Sequence, residues 1–160
     1  MTVVRVEKDV ERLGLTLVAE FDAPIERVWQ LWADPRQLER WWGPPSHPST
    51  VETHDLIAGG EVTYFMTGPA GETSRGWWRI TAVDPPSSLA FIDGFANRDG
   101  TPNANTPITT VQMRLTEHGG GTRMELRFNF ASRDHMDRLE RWGAFAAFPL
   151  SVAQMDAIIT

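Results

Sequence analysis

The chain has 160 residues, of which 41% are hydrophobic and 22% charged, and its formal net charge is −6 at neutral pH. This size and composition are typical of one globular domain with a buried core. The acidic balance argues against a nucleic-acid partner, and no apolar run approaches the roughly 18 residues of a membrane span. The absence of cysteine excludes disulfides, zinc–thiolate sites and thiol nucleophiles. Residues 1–12 carry mixed charges and lack the apolar centre of a signal peptide, so we expect a cytoplasmic protein.

The first part of the sequence predicts a strand followed by two short helices. Apolar and polar residues alternate over 13–21, which indicates a half-buried strand. Pro24 suits the first turn of a helix, with Asp22 or Ala23 as the cap. The Asp-Pro pair at 34–35 then breaks that helix and starts a second short one.

A series of six strands follows, separated by turns rich in glycine and proline. The predicted ranges are 50–56, 61–67, 75–83, 89–95, 108–117 and 122–130. Three glycines join the last two strands, which is typical of a hairpin. With the first strand and the helices, this order predicts an α+β domain whose antiparallel sheet has about six or seven strands.

The C-terminal residues predict one long helix with two apolar faces. Ser132 suits its N-cap, and Pro149 is expected to kink the helix or split it in two. One stripe recurs at steps of three and four residues: Met136, Leu139, Gly143, Ala146, Leu150, Ala153 and Ala157. A second stripe lies on a different side: Trp142, Phe145, Phe148, Val152 and Met155.

Several short motifs, taken in order, resemble the START-like helix-grip superfamily and, more closely, the family of homologues of the heat-shock-protein-90 ATPase activator. They are Phe21-Asp22-Ala23-Pro24, Arg40-Trp41-Trp42-Gly43-Pro44, Gly59-Gly60, Val83-Asp84-Pro85-Pro86, Gly119-Gly120-Gly121-Thr122-Arg123 and Gln154-Met155-Asp156-Ala157. The resemblance covers about residues 13–158 of a single domain over 1–160. It implies a curved sheet that grips the C-terminal helix, with a cavity for a small hydrophobic ligand between them, and it supplies no catalytic residue.

The side chains expected to line that cavity come from both the sheet and the helix. Ligand pockets are mostly apolar, with a few polar groups that fix orientation, and tryptophan adds a large area and one hydrogen-bond donor. The predicted ligand-binding residues, with Trp42 at the mouth, are Trp42, Tyr64, Trp78, Phe91, Met113, Phe128, Met136, Leu139, Trp142 and Gly143. The alternative is that these side chains fill an ordinary core.

Asp93 is the candidate for acid–base chemistry. If Asp93 shares a face with Phe91 and Phe95, burial would raise its pKa and make it a general acid or base beside the cavity. Arg75 or Arg79 would be its partner if the strand register allows. Such a site would suit an enzyme of the cyclase or hydrolase type. The alternative places Asp93 in water at the end of a strand.

The remaining features favour binding without a cofactor. The four histidines show no metal-ligand spacing, so no metal site is predicted. Polar residues 97–107 form a long loop that is either a lid over the cavity or a plain connection.

Trp142, Phe145 and Phe148 are candidates for a homodimer face, and the resemblance alone implies a chaperone-associated interaction module. Our leading hypothesis is a protein that binds a small hydrophobic or aromatic ligand.

Overall fold

The computed structural model describes residues 3–159, which form eight strands and five helices. Met1, Thr2 and Thr160, at the ends of the predicted domain, lie outside the described residues. In chain order the elements are β1 (Val3–Asp9), β2 (Gly14–Phe21), α1 (Ile25–Ala33), α2 (Pro35–Leu38), β3 (Ser49–His54), β4 (Glu61–Thr67), β5 (Thr73–Asp84), β6 (Ser88–Ala96), β7 (Ile108–His118), β8 (Gly121–Phe130), α3 (Arg133–Arg141), α4 (Ala144–Ala153) and α5 (Met155–Ile159).

All eight strands belong to one antiparallel sheet, in the order β1-β2-β8-β7-β6-β5-β4-β3. In β7 and β8 nearly every second residue is buried, as expected for a sheet with one covered face. The helices α1, α3 and α4 pack on this sheet. The predicted α+β helix-grip fold is therefore confirmed, with eight strands where the sequence indicated six or seven.

The extra strand is β1, at the edge of the sheet beside β2. Apart from Val3, every residue of β1 is exposed. A strand that buries neither of its faces needs no apolar alternation, and charged side chains on an edge strand discourage further pairing. Its sequence therefore carries no pattern from which a strand could be predicted.

The two short helices lie where the sequence placed them, with one difference at the first cap. Pro24 is itself the N-cap of α1 and makes no side-chain hydrogen bond to the helix, so the predicted cap at Asp22 or Ala23 is wrong. Asp34 caps α2, because its Oδ1 accepts a hydrogen bond from the Arg36 backbone N–H at 2.9 Å. The apolar side of α1 is fully buried through Val28, Leu31 and Trp32.

The C-terminal helix is broken at Gly143 rather than at Pro149, which lies inside α4. Gly143 has a φ of +87°, the left-handed conformation that commonly ends a helix and that glycine adopts without strain. The segments on the two sides of this break are inclined by 65°. Pro149 removes only one backbone donor from α4, so the prediction that it splits the helix is wrong.

The break changes which stripe faces the sheet. Met136 and Leu139 of the first stripe are buried in α3. Beyond Gly143 the second stripe turns inward, because Phe145 stacks on Phe130 and Phe148 stacks on Phe128, with ring centroids 5.3 Å and 4.2 Å apart. The remaining members of the first stripe are exposed, contrary to the prediction of one continuous apolar face: Ala146, Leu150, Ala153 and Ala157.

No single helix among the described residues is both long enough and apolar enough to cross a membrane. Taken together, α3 and residues 144–159 are long enough and apolar enough to cross a membrane, but they are bent by 65° at the break, and this statement rests on length and composition alone.

Candidate functional site

A cavity of about 290 Å³ lies between the inner face of the sheet and the break that separates α3 from α4. The helices contribute small side chains there, because Gly143, Ala144 and Ala147 border the space. The sheet contributes its β4, β6, β7 and β8 strands through Tyr64, Met66, Asp93, Phe95, Thr109, Leu126 and Phe128. Small residues at a sharp helix break leave room that larger side chains would otherwise fill.

The structure brings six of the ten predicted lining residues to this cavity: Trp42, Tyr64, Phe128, Leu139, Trp142 and Gly143. The other four, Trp78, Phe91, Met113 and Met136, do not border it and are at most 1% exposed. Trp78 and Phe91 instead pack with Trp32 of α1, at centroid distances of 6.1 and 6.2 Å. These four are core residues, as the alternative interpretation of the aromatic set expected.

Aromatic rings pack beneath the cavity, on the side of α1. Trp78 stacks on Phe91 at 3.9 Å, and Trp42, which borders the cavity, meets Trp78 edge-on at 4.8 Å. Trp41 is fixed by its indole N–H, which donates to the carbonyl of Leu31 at 2.8 Å. Edge-on and stacked pairs of this kind add to the energy of burial, so the cavity rests on a firmly packed cluster.

The mouth of the cavity is tied to the C-terminal helices. The side-chain amide of Gln154, just after α4, donates to the carbonyl of Gly43 at 2.7 Å. Ser49 donates from its hydroxyl to the carbonyl of Trp42. Both contacts hold the turn at 41–43 over the cavity. The sequence predicts Gln154 on the polar face of the helix and within a family motif, but its spacing does not indicate a contact with a residue more than 100 positions away.

The polar feature of the cavity is a hydrogen bond between Tyr64 and Asp93. The phenol of Tyr64 on β4 donates to Oδ1 of Asp93 on β6 at 2.8 Å, across the intervening strand β5. Gly76 of β5 is paired with Tyr64, and a Cβ at this position would come within 2.3 Å of the phenol oxygen. The missing side chain of Gly76 therefore lets the tyrosine ring lie across β5 and reach the carboxylate.

Burial raises the pKa of Asp93 to about 7, while the hydrogen bond from Tyr64 and the polar indole N–H of Trp78 partly oppose the rise. The indole nitrogen of Trp78 has no formed hydrogen bond among residues 3–159. Burial, together with the charge of Asp93, raises the pKa of Tyr64 well above its usual value. Near neutral pH, Tyr64 is thus a neutral donor, and Asp93 is populated in both its protonated and its ionised form.

The strand register decides between the alternatives for Asp93. Asp93 lies within β6, is half-buried and lines the cavity beside Phe95, so the expectation of a solvated strand end is wrong. The expectation of an arginine partner is also wrong. Arg75 pairs with Glu52, and Arg79 approaches Glu61 at 3.9 Å.

The rim is formed by the 97–107 loop and the end of α3. Pro107 borders the cavity, and Asn105 accepts a hydrogen bond through its carbonyl from Arg138 of α3 at 3.1 Å. Trp142 lies edge-on to Phe95 at 5.6 Å and is 53% exposed. The loop therefore contacts the helix that borders the cavity, an arrangement that suits a lid.

The sequence did not point to several other lining residues. His47, Thr109 and Ser151 bring polar atoms to the cavity wall, and Ala147 brings its small size. Thr109 could have been expected once the register was known, because it is paired with Asp93 on the neighbouring strand. No group of three or more histidine, aspartate or glutamate side chains in the described part of the chain could hold a metal ion.

Comparisons with known proteins agree with this architecture. Residues 22–159 match the family described as activator of Hsp90 ATPase homolog 1-like protein. Protein Ms6760 from Mycobacterium smegmatis is 49% identical, with a TM-score of 0.90 over 99% of this chain and 97% of that one. A protein from Arthrobacter aurescens is 44% identical, with a TM-score of 0.95 over 99% and 92%. A search of curated proteins found no match. Family and fold are those of a ligand-binding or activator module in general.

Proposed function

The chain belongs to the family of activator of Hsp90 ATPase homolog 1-like proteins, and we propose that it binds a compact, largely apolar ligand in the cavity under the helix break. The observation that carries the proposal is an aromatic cavity of about 290 Å³ with a polar pair, Tyr64 and Asp93, on its wall. Protein interiors are normally close-packed. A space of this kind with few polar groups is typical of a ligand site.

The size of the cavity limits the ligand. Its volume of about 290 Å³ is near the lower end of the range of about 300–1,000 Å³ that ligand pockets usually show. A compound of one or two rings suits this space, whereas an extended lipid chain would require the helices or the 97–107 loop to move. The hydrogen bond between Tyr64 and Asp93 gives the site one position at which a polar group of the ligand is recognised.

The experiment is a titration with a neutral naphthalene dye, followed by dye fluorescence and tryptophan quenching. Ala147 borders the cavity, whereas Ala146 is exposed on the other side of the same helix. We expect Ala147→Leu to fill part of the cavity and weaken dye binding at least tenfold, and Ala146→Leu to bind like the wild type. The absence of saturable binding to the wild type would overturn the proposal, as would equal effects of the two substitutions.

A second candidate function, proton transfer on a bound ligand, is favoured by the raised pKa of Asp93, about 7. A general acid or base works best when its pKa lies near the operating pH, and Tyr64 holds this carboxyl in place. The test is deuterium exchange at the carbon beside the carbonyl of a small aryl ketone, followed by NMR in heavy water. Exchange catalysed by the wild type and lost in Asp93→Asn supports catalysis. Exchange at the uncatalysed rate in both proteins excludes it for that substrate class.

A further inference from the structure

The cavity contains a carboxylate and no paired base. Its titratable lining residues are Asp93, Tyr64 and His47. Within residues 3–159, no lysine, arginine or histidine forms an ion pair with Asp93. When Asp93 is ionised, its charge is therefore stabilised only by neutral groups, which compensate a buried charge less well than a cation does.

Neutral donors lie around Asp93. Tyr64 donates to Oδ1, whereas Oδ2 accepts no formed hydrogen bond from the described residues. The buried indole nitrogens of Trp42 and Trp78 also lack a hydrogen-bond partner in the described chain, and the indole of Trp78 favours the ionised form of Asp93. Tyr64 thus orients the carboxylate through Oδ1, and Oδ2 remains open to a donor on a ligand.

The walls around this carboxylate suit a cation. Aromatic faces attract positive charge, and the attraction grows when the cation is removed from water. The cavity is bordered by aromatic rings on several sides: Trp41, Trp42, Phe95, Phe128, Trp142 and Phe148. Trp142 already holds the guanidinium of Arg138 at 5.2 Å from its ring centroid, on the rim.

We propose that the preferred ligand is a compact apolar amine, whose protonated nitrogen donates to Asp93 while its apolar part packs against the aromatic walls. This inference rests on the proposed function and names the chemical class of its ligand. A carboxylic acid of the same shape is disfavoured, because it would bring a second negative charge against Asp93 without a basic residue between them.

The test compares three probes of one shape: 1-naphthylmethylamine, 1-naphthylmethanol and 1-naphthoic acid. At pH 8.0 Asp93 is mostly ionised. We expect the amine to bind wild-type protein at least about tenfold more tightly than the alcohol, a difference of about 1.4 kcal/mol. The acid should bind most weakly.

Two substitutions test the role of the Asp93 carboxylate separately from that of Tyr64, the donor that positions it. Asp93→Asn keeps the shape of the side chain and removes the charge, so the ratio of amine to alcohol affinity should fall to about one. Tyr64→Phe removes the donor and keeps the carboxylate, so the amine should remain preferred. Equal affinities for amine and alcohol in the wild type would overturn the inference and leave the proposed function standing. If none of the three probes nor the neutral dye binds, the proposed function is overturned with it.

The pH dependence provides a second comparison within the same protein. The titratable groups that line the cavity with Asp93 are Tyr64, which stays neutral, and His47 at the mouth, and Arg138 lies on the rim. At pH 5.5 the preference for the amine should shrink severalfold, because Asp93 is then mostly protonated. The shrinkage should persist in His47→Gln, which removes the histidine from the cavity. If the preference for the amine shrinks at pH 5.5 in the wild type but not in His47→Gln, the assignment to Asp93 is overturned.

A measurement on the wild-type protein covers the case in which Asp93→Asn does not fold. Carboxyl carbon NMR follows the titration of Asp93 directly. Saturation with the amine should lower the pKa of Asp93 by at least one unit, because a bound cation favours the ionised form. Saturation with the alcohol should not lower it. A pKa that does not fall when the amine is bound would contradict the inference.

Discussion

The inner face of the sheet has two halves that are covered in different ways. In the filled half, represented by Trp32, Trp78 and Phe91, rings from α1 and the sheet pack without exposure. In the open half, represented by Tyr64, Asp93 and Phe128, the sheet faces the broken helix across a cavity. Phe91 and Asp93 lie only two residues apart on β6. The helices, more than the sheet, therefore decide where the core ends and the cavity begins.

The covering helices differ in the size of the side chains that they bring. The helix α1 presents Val28, Leu31 and Trp32, which fill the space above the sheet. The break after α3 presents Gly143, Ala144 and Ala147. A bend of 65° combined with these small residues leaves a volume that neighbouring side chains do not fill. The open half is thus a consequence of local helix chemistry on an otherwise uniform sheet.

The largest expected effect comes from removing one stacked phenylalanine in each half. Phe91→Ala deletes a fully buried ring that stacks on Trp78 at 3.9 Å, and we expect it to lower the free energy of unfolding by about 3–5 kcal/mol. Phe148→Ala deletes a half-buried ring that stacks on Phe128 at 4.2 Å and borders the cavity. Its loss should be smaller, about 1–2 kcal/mol, because fewer contacts are removed.

The measurement is urea denaturation of both variants beside the wild type. If the filled half is packed more densely than the open half, Phe91→Ala should lower the free energy of unfolding clearly more than Phe148→Ala does. Equal losses would mean that the helix packs on the open half as densely as α1 packs on the filled half.

The sequence predicts the filled half better than the open one. Periodicity located β2 and β4–β8 and the apolar residues of α1, because burial on one face leaves a repeating pattern. The pattern cannot separate side chains that fill a core from those that border a cavity, so Trp78 and Phe91 were grouped with Tyr64 and Trp42. That distinction depends on where the C-terminal helix breaks. The sequence indicates Pro149 as the position of a kink or break, whereas the structure has the break at Gly143.

The polar pair of the open half was harder to foresee. Tyr64 and Asp93 are 29 residues apart, and the contact requires both the strand register and the absence of a side chain at Gly76. The sequence placed Asp93 on the inner face only as an alternative, and it offered no reason to link Asp93 with Tyr64. Contacts that cross an intervening strand depend on three chain segments at once, and no local pattern encodes them.

The next effect concerns the pH dependence of stability, which should differ between the halves because only the open half buries a titrating carboxyl. Folding raises the pKa of Asp93 from 3.8 to about 7, so the folded state holds this proton more tightly than the unfolded state. Stability relative to Asp93→Asn is therefore greatest below pH 4. It should fall as the pH rises towards 7 and then level off, by about 2–4 kcal/mol in total.

Denaturant unfolding of wild type and Asp93→Asn at several pH values between 4 and 8 measures this difference. Groups titrating elsewhere contribute equally to both proteins and cancel. Asp34 is one of them, since hydrogen bonds to Arg36 and Gln37 lower the pKa of this surface carboxyl, and its contribution to stability is lost as the pH falls. A difference between the two proteins that stays constant from pH 4 to pH 8 would show that Asp93 is not desolvated.

The smallest expected effect tests the origin of the open half itself. A Cβ added to Gly143 meets no atom within 4 Å, so Gly143→Ala changes only the backbone preference at a φ of +87°. Holding alanine in the left-handed conformation should lower the free energy of unfolding by about 1–2 kcal/mol. Gly143→Asn is the matched control, because asparagine tolerates this conformation better and should lose less. Since the break at Gly143 sets how α4 lies over the sheet and borders the cavity, the alanine variant should also bind the naphthalene dye more weakly than the asparagine variant. Denaturation and dye titration of the pair measure both effects. If alanine and asparagine behave alike in both assays, the left-handed glycine does not maintain the cavity, and the length of the connection between α3 and α4 must do so.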